Sequence, residues 1–475
     1  MAKLRTWRVP LLGLPLLIYC VLPTRNFYWD GVAFAIKIEK RPPVADLLYP
    51  SHLIYMLWGS WLYRLCEAVG LHARALFVMQ AANGVLAGLC VFLLDKCLRR
   101  KGVPAGLSAA AVLIFAFAAS WWKFASDANA YIPAIFFLLC AYLLAERPET
   151  TVPAALTHAG AMLFHQLAIL FLPVALLTLK KGRSRWTYAA TALIPVAAAY
   201  AFSYRAGADR ATFAGFLSWV TWHAPDSNFS FSPVTNALLS LRGTFRLFFG
   251  GKVGDFVGDG ISKAVFLALI AATAAFCIGS WRIVRGLKFS SPPVTLAAWA
   301  GVYSAFLFFW MPQNTFYRLF YLPPLIAVLF TTLRGVDLPV RLFVPALLLW
   351  NFAFEIYPQS RADLNAPLSF ALAQRDRWPP GTPIVFSRFH PDLWTISYFN
   401  QQAAWIGMPQ PDLDQLERHL EEARKDHQPL WVEQTTYEPI ASDPNGRQWL
   451  AAHEQPTDLI QFHDAKHVFL FHCMK

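Results

Sequence analysis

Residues 74–101 read RALFVMQAANGVLAGLCVFLLDKCLRRK, a largely apolar run to Leu94 closed by Lys96, Arg99, Arg100 and Lys101. A helix rises about 1.5 Å per residue, so a run of this length reaches across a hydrocarbon core of about 30 Å. Lysine and arginine collect on the cytoplasmic side of membrane proteins, so the basic end marks the inner face. The same pattern recurs over most of the chain, with apolar runs parted by short basic or aromatic breaks. The 475 residues are 56% hydrophobic and 15% charged, well short of the quarter charged that soluble domains carry.

Fixing that one turn inside orders the rest. Lys3, Arg5 and Arg8 put the N-terminus in the cytoplasm before a first span at 9–22. Tyr19-Cys20-Val21-Leu22-Pro23 offers no small-residue cleavage site, so this span reads as uncleaved. One crossing then lies between 24 and 95, leaving an external loop at 24–73 with an amphipathic helix over His52–Leu65. Spans at 104–121 and 129–145 follow, with Trp121 and Trp122 as interfacial rings beside an outside turn. Two short helices turning near His165 within 151–179 keep the basic break Lys180–Arg185 inside. Spans at 186–203, 262–282, 293–311, 319–333 and 339–356 complete the set, around a long external segment at 205–260. In that segment Thr212–Trp222 and Asn236–Phe249 are amphipathic. The result is an all-α polytopic membrane bundle over 1–356, with about eleven transmembrane helices. The N-terminus is inside and the C-terminus outside.

Residues 1–356 hold 31 Lys and Arg against 14 Asp and Glu, whereas 357–475 hold 10 against 15. The basic excess belongs to the membrane part, where it sets topology and attracts anionic lipid, and it excludes nucleic acid as partner. The tail 357–475 loses the apolar runs and reads as a small α/β extracytoplasmic domain. Its strands fall near 383–387, 430–432 and 467–471, and its helix near 412–425. Seven scattered cysteines without a Cys-x-x-Cys read as buried, inert thiols.

Ionisable groups at the outer face carry the functional signal, because their burial near lipid is costly unless they act or pair. Asp30, in Phe27-Tyr28-Trp29-Asp30-Gly31, is either a turn carboxylate or a base able to take a proton from a hydroxyl. Asp127, in Ser126-Asp127-Ala128-Asn129-Ala130-Tyr131, either caps the next helix or joins Asp30 for a divalent metal (Mg or Mn) or a hydroxyl. His52, His165 and Arg318 stand at outer ends of apolar segments. Arg242 and Arg246, at i and i+4, share a helix face suited to a phosphate clamp or a lipid-headgroup anchor. His463-Asp464-x-x-His467 reads as surface.

These motifs, in this order, resemble the GT-C superfamily of membrane glycosyltransferases, in the branch of protein O-mannosyltransferases and the lipid A aminoarabinose transferase. The resemblance covers residues 5–335. It rests on Asp30 after the first span, then Pro50-Ser51-His52-Leu53-Ile54-Tyr55, Asp127 with Tyr131, and His165-Gln166 before Leu172-Pro173. Arg318 through Tyr321-Leu322-Pro323 completes it. Asp30-Gly31 stands where Asp-Glu is commoner, Asp127 replaces a glutamate, and Ser51 a proline. The resemblance implies a GT-C-like fold in the cytoplasmic (inner) membrane and a polyprenyl-phosphate sugar donor. The acceptor would be a lipid, glycan or protein at the outer face. Asp30 would be the catalytic base of an inverting transfer. Asp127, His52, Tyr131, His165, Arg242, Arg246 and Arg318 would bind substrate.

A flippase or transporter would show paired repeats and charges at the bilayer midplane, and neither is present in the sequence. In a non-catalytic assembly subunit the loop acids would be incidental. Topology is the first point to test. Reporter fusions after Lys101, Arg185 and Arg334 are expected to report cytoplasm, and one after Lys475 the outside. A cytoplasmic C-terminus would overturn the span assignment.

Overall fold

The computed structural model describes residues 13–179, 182–207, 212–221, 229–251, 263–285, 288–334, 337–388, 390–463 and 467–475. Lys3, Arg5, Arg8, Lys180, Lys181, Trp222, Lys252 and Asp464 lie outside the described residues, as do the side chains of Arg282, Arg285, Lys288 and Arg334. The chain forms two compact units. One holds residues 1–24 and 34–360, the other residues 25–33 and 361–475.

The first unit is helical. Ala75–Arg100 is its longest helix and, among the described residues, the one long and apolar enough to cross a membrane unaided. Gly84 and Gly88, one helical turn apart, let the helix at 13–21 come close. A Cβ on Gly88 would meet Leu16 Cβ at 2.8 Å, and one on Gly84 would meet Tyr19 Cβ at 3.6 Å. Several stretches that hydropathy joins as one span are broken. The run at 104–121 divides into Ala105–Phe117 and Ala119–Ala125, bent by 68°, because Ala118 is extended at φ −59°, ψ 131°. This bend turns Trp121 and Trp122 inward to 0% and 1% exposure, so they are core residues and not interfacial rings. The turn at His165 is present. Thr151–Phe164 ends there, and a tight turn over Gln166–Phe171 leads into Leu172–Thr178. Shorter apolar helices include Tyr131–Ala145, Val294–Phe309 and Leu322–Thr332. The cysteines are free, and they are not all buried: Cys20 and Cys277 are exposed.

Where helices break, Asn351 ties the pieces together. It is fully buried. Its Nδ2 donates to Phe117 O and to Phe248 O, each at 2.7 Å, and its Oδ1 accepts from Gly250 N at 3.0 Å. The next residue, Gly251, has φ 85°. A Cβ there would run into Phe354 O, so only glycine fits.

The second unit is a five-stranded sheet in the order Ala404–Gly407, Pro383–Phe386, Leu430–Glu433, Val468–Met474, Ile460–His463. The first three strands are parallel and the last two antiparallel. Leu413–Lys425 is the expected helix, capped by Asp412. Trp378, Phe370 and Phe471 pack at one face of the sheet. Residues 25–33 belong to this unit, with Phe27 stacked on Phe399 at 5.6 Å between ring centres.

Asn351→Ala leaves two buried carbonyls and one amide without partners and is expected to destabilise the protein by about 3 kcal/mol. Equilibrium unfolding in detergent measures this, and an unchanged midpoint would deny the tie.

Candidate active site

The first unit gathers most of the sequence-derived residues. His52, in a tight turn at Pro50–His52 before Tyr55–Ala68, is 6% exposed. Its ring centre lies 4.7 Å from that of His165 and 6.1 Å from that of Tyr131. Tyr131 and His165 are 5.0 Å apart. Tyr317 closes the group at 5.9 Å from both Tyr131 and His165. His165 Nδ1 accepts the Leu167 amide at 3.1 Å, so the neutral ring carries its proton on Nε2. That Nε2 is buried with no hydrogen-bond partner among the described residues. The rings pack on one another and on Phe124, Phe316 and Phe320, and the group holds one buried donor in His165 Nε2.

Asp127 is fully buried, and its Oδ1 accepts the Ala128 amide at 2.8 Å. The capping role falls instead to Asn129, whose Oδ1 accepts from Tyr131 N and Ile132 N at 3.1 and 3.2 Å. Asn83, from the Ala75–Arg100 helix, holds this turn by donating to Asp127 O at 2.7 Å and Asn129 O at 2.8 Å. An amide in an apolar run is the sequence signal that could have marked Asn83.

Arg318 lies in the tight turn Phe316–Phe320, 3% exposed. Its Nη1 donates to Tyr321 Oη at 2.6 Å and approaches Thr244 Oγ1 at 3.5 Å. Its Nη2 donates to Pro312 O at 2.5 Å. Nε is buried without a partner among the described residues. All three acceptors are neutral, and no carboxylate among the described residues forms an ion pair with this guanidinium. Gly243 allows the approach, because a Cβ there would meet Arg318 Nε at 2.5 Å. A glycine inside the helix Pro233–Phe248 is a signal of such close contact that the sequence reading passed over. Arg242 and Arg246 are exposed on that helix. Arg318's contacts on the helix are Gly243 and Thr244, so the structure does not join the three arginines into one clamp.

Asp30 lies in the other unit, near the start of Trp29–Glu39, and is half-buried. Burial pushes its carboxyl up to about 6, while hydrogen bonding to the Tyr28 and Trp29 side chains acts the other way. A carboxylate with this value can hold or release a proton near neutrality. Among the described residues no three His, Cys, Asp or Glu side chains converge as a metal site.

A buried cation facing only neutral acceptors is a costly element unless an anion is bound. Arg318→Met is therefore expected to leave the ligand-free protein at least as stable as wild type in thermal unfolding. A large loss would make Arg318 a structural residue.

No family model and no curated protein matches the sequence. Among solved structures, the chain is similar to ArnT from Cupriavidus metallidurans bound to undecaprenyl phosphate, with TM-score 0.55 and 12% identity over 98% of each chain. It also matches the same protein in the apo state, with TM-score 0.49 and 15% identity over 99% of this chain and 98% of that one. At such identity the likeness establishes the fold alone: over 98% of its length this chain has the fold of ArnT.

Proposed function

We propose that this protein is an inverting membrane glycosyltransferase of the cytoplasmic membrane. It would move a sugar from a polyprenyl-phosphate-linked donor to a lipid, glycan or protein acceptor at the outer face. The observation that carries this reading is the buried Arg318 guanidinium, held by neutral acceptors with Nε left over. Such a group favours an anion, and a phosphate is both the donor's headgroup and its leaving group. The fold supports the reading, since the ArnT structure holds undecaprenyl phosphate.

In this reaction the donor phosphate lies against Arg318. As the bond from the anomeric carbon to the phosphate oxygen breaks, charge grows on the phosphate, and the guanidinium stabilises it in a site with little water. Asp30 takes the proton of the acceptor hydroxyl. The freed oxygen attacks the anomeric carbon from the face opposite the phosphate, and the configuration inverts. Tyr131 and His52 supply ring faces to the sugar, and His165 donates through Nε2–H. Asp127 completes the binding set from its turn beside Tyr131.

Asp30→Asn keeps the shape and removes proton acceptance, so turnover of a polyprenyl-phosphate sugar should fall by about two to four orders of magnitude. Wild-type turnover should rise with pH through about 6, because Asp30 must be ionised to act and burial has raised its value to there. Arg318→Gln should leave that midpoint in place and weaken undecaprenyl phosphate binding roughly 10- to 100-fold. Wild-type turnover in Asp30→Asn would make Asp30 a residue of the helix start only and move the base to Asp127.

A further inference from the structure

The helix Pro233–Phe248 carries a surface that the reaction does not use. Val234, Leu238, Leu241 and Phe245 are 58–74% exposed and fall at i, i+4, i+7 and i+11, which makes one stripe. The buried Asn236, Gly243 and Leu247 occupy the opposite side. Arg242 and Arg246 are exposed along one flank, and the helix contains no acidic residue. An apolar stripe with a basic flank is the pattern of a helix lying at the edge of a bilayer.

Beside the stripe is an apolar cavity of about 200 Å³, lined in part by Phe245, Phe249, Phe276, Cys277, Leu347 and Trp350. It lies between this helix, Lys263–Arg285 and Asp337–Asn351. Arg242 precedes Phe245 by three residues, and Arg246 precedes Phe249 by three. Each cation is thus the helix-surface neighbour of a ring that lines the cavity. Water would find almost no polar partner inside, so an apolar chain is the fitting occupant.

We propose that this is a binding site for an anionic glycerophospholipid of the surrounding bilayer. One acyl chain fills the cavity, and the headgroup phosphate lies between Arg242 and Arg246. The exposure of the two arginines matches a headgroup at the water boundary, whereas the buried Arg318 suits the donor. The inner side of the same helix sets Gly243 and Thr244 against Arg318. The lipid would therefore steady one wall of the phosphate pocket without taking part in the reaction.

Cys277 gives a direct readout, since it lines the cavity and is exposed. The full-length protein, delipidated in detergent, is alkylated with N-ethylmaleimide, and modification of Cys277 is followed by peptide mass spectrometry. Cys20, also exposed, serves as the internal control. Added phosphatidylglycerol is expected to slow alkylation of Cys277 severalfold and leave Cys20 unchanged, while diacylglycerol, which lacks the phosphate, protects little. The R242Q/R246Q double variant should need roughly 30-fold more phosphatidylglycerol, because each cation contributes about fivefold near an anionic headgroup. Equal protection by diacylglycerol, or an unchanged requirement in the double variant, would overturn the site. Stronger protection by undecaprenyl phosphate than by phosphatidylglycerol would also overturn it and give the cavity to the donor.

Discussion

A helix that breaks inside an apolar bundle strands its carbonyl groups away from water, and three asparagine amides meet that need in this protein. Asn351 takes up Phe117 O and Phe248 O, Asn83 takes up Asp127 O and Asn129 O, and Asn129 takes up Phe124 O. Each such carbonyl left alone would cost about 1–3 kcal/mol, with no water in a bilayer core to relieve it. The amides thereby permit the bend at Ala118, the inward turn of Trp121 and Trp122, and the end of Pro233–Phe248. Without these breaks the bundle would be a set of straight spans with no irregular backbone to frame a site.

The frame then tolerates Arg318. A guanidinium stripped of water recovers part of its hydration from Tyr321, Thr244 and Pro312, and a cation–π contact with the Tyr321 ring at 5.9 Å adds to it. None of these neutralises the charge. The remaining deficit is a cost in stability, which is why the proposed function gives this site to an anion. Gly243 is the steric condition, since any larger side chain would push the guanidinium from its place.

Hydropathy made the helical bundle legible because apolar length is a property of the chain alone. The amphipathic segment near His52, the turn at His165 and the sheet of the tail were equally legible, for their patterns are local. The breaks were not. Ala118 is one alanine among several in its run, and the carbonyl its extended backbone leaves at Phe117 is taken up by Asn351, 234 positions away from Phe117 in sequence. The grouping of His52, Tyr131 and His165 was anticipated through ordered motifs, whereas Tyr317 and Gly243 were missed. A tyrosine in an aromatic-rich turn and a glycine in a helix carry no mark of what they face. The arginines were misjudged as a set for a related reason. Spacing put Arg242 and Arg246 on one face, but it could not show which residues of that helix meet Arg318.

The division into two units bears on how the proposed base is held. Asp30 follows the first span by only a few residues, which by itself would make it an appendage of the bundle. Yet residues 25–33 fold with 361–475, and Phe27 stacks on Phe399 at the end of the helix Pro391–Phe399. That helix lies between the parallel strands Pro383–Phe386 and Ala404–Gly407 and is part of the sheet's packing. The orientation of the Asp30 segment thus depends on a core built some 370 residues later, around Trp378 and Phe471. Asp30 stands in the first turn of the helix Trp29–Glu39, so this support reaches it through the start of that helix. A carboxylate that must accept one proton in one direction requires it, because proton transfer depends on hydrogen-bond geometry before it depends on acidity. The sheet of the small C-terminal unit is thus what holds the segment that carries Asp30.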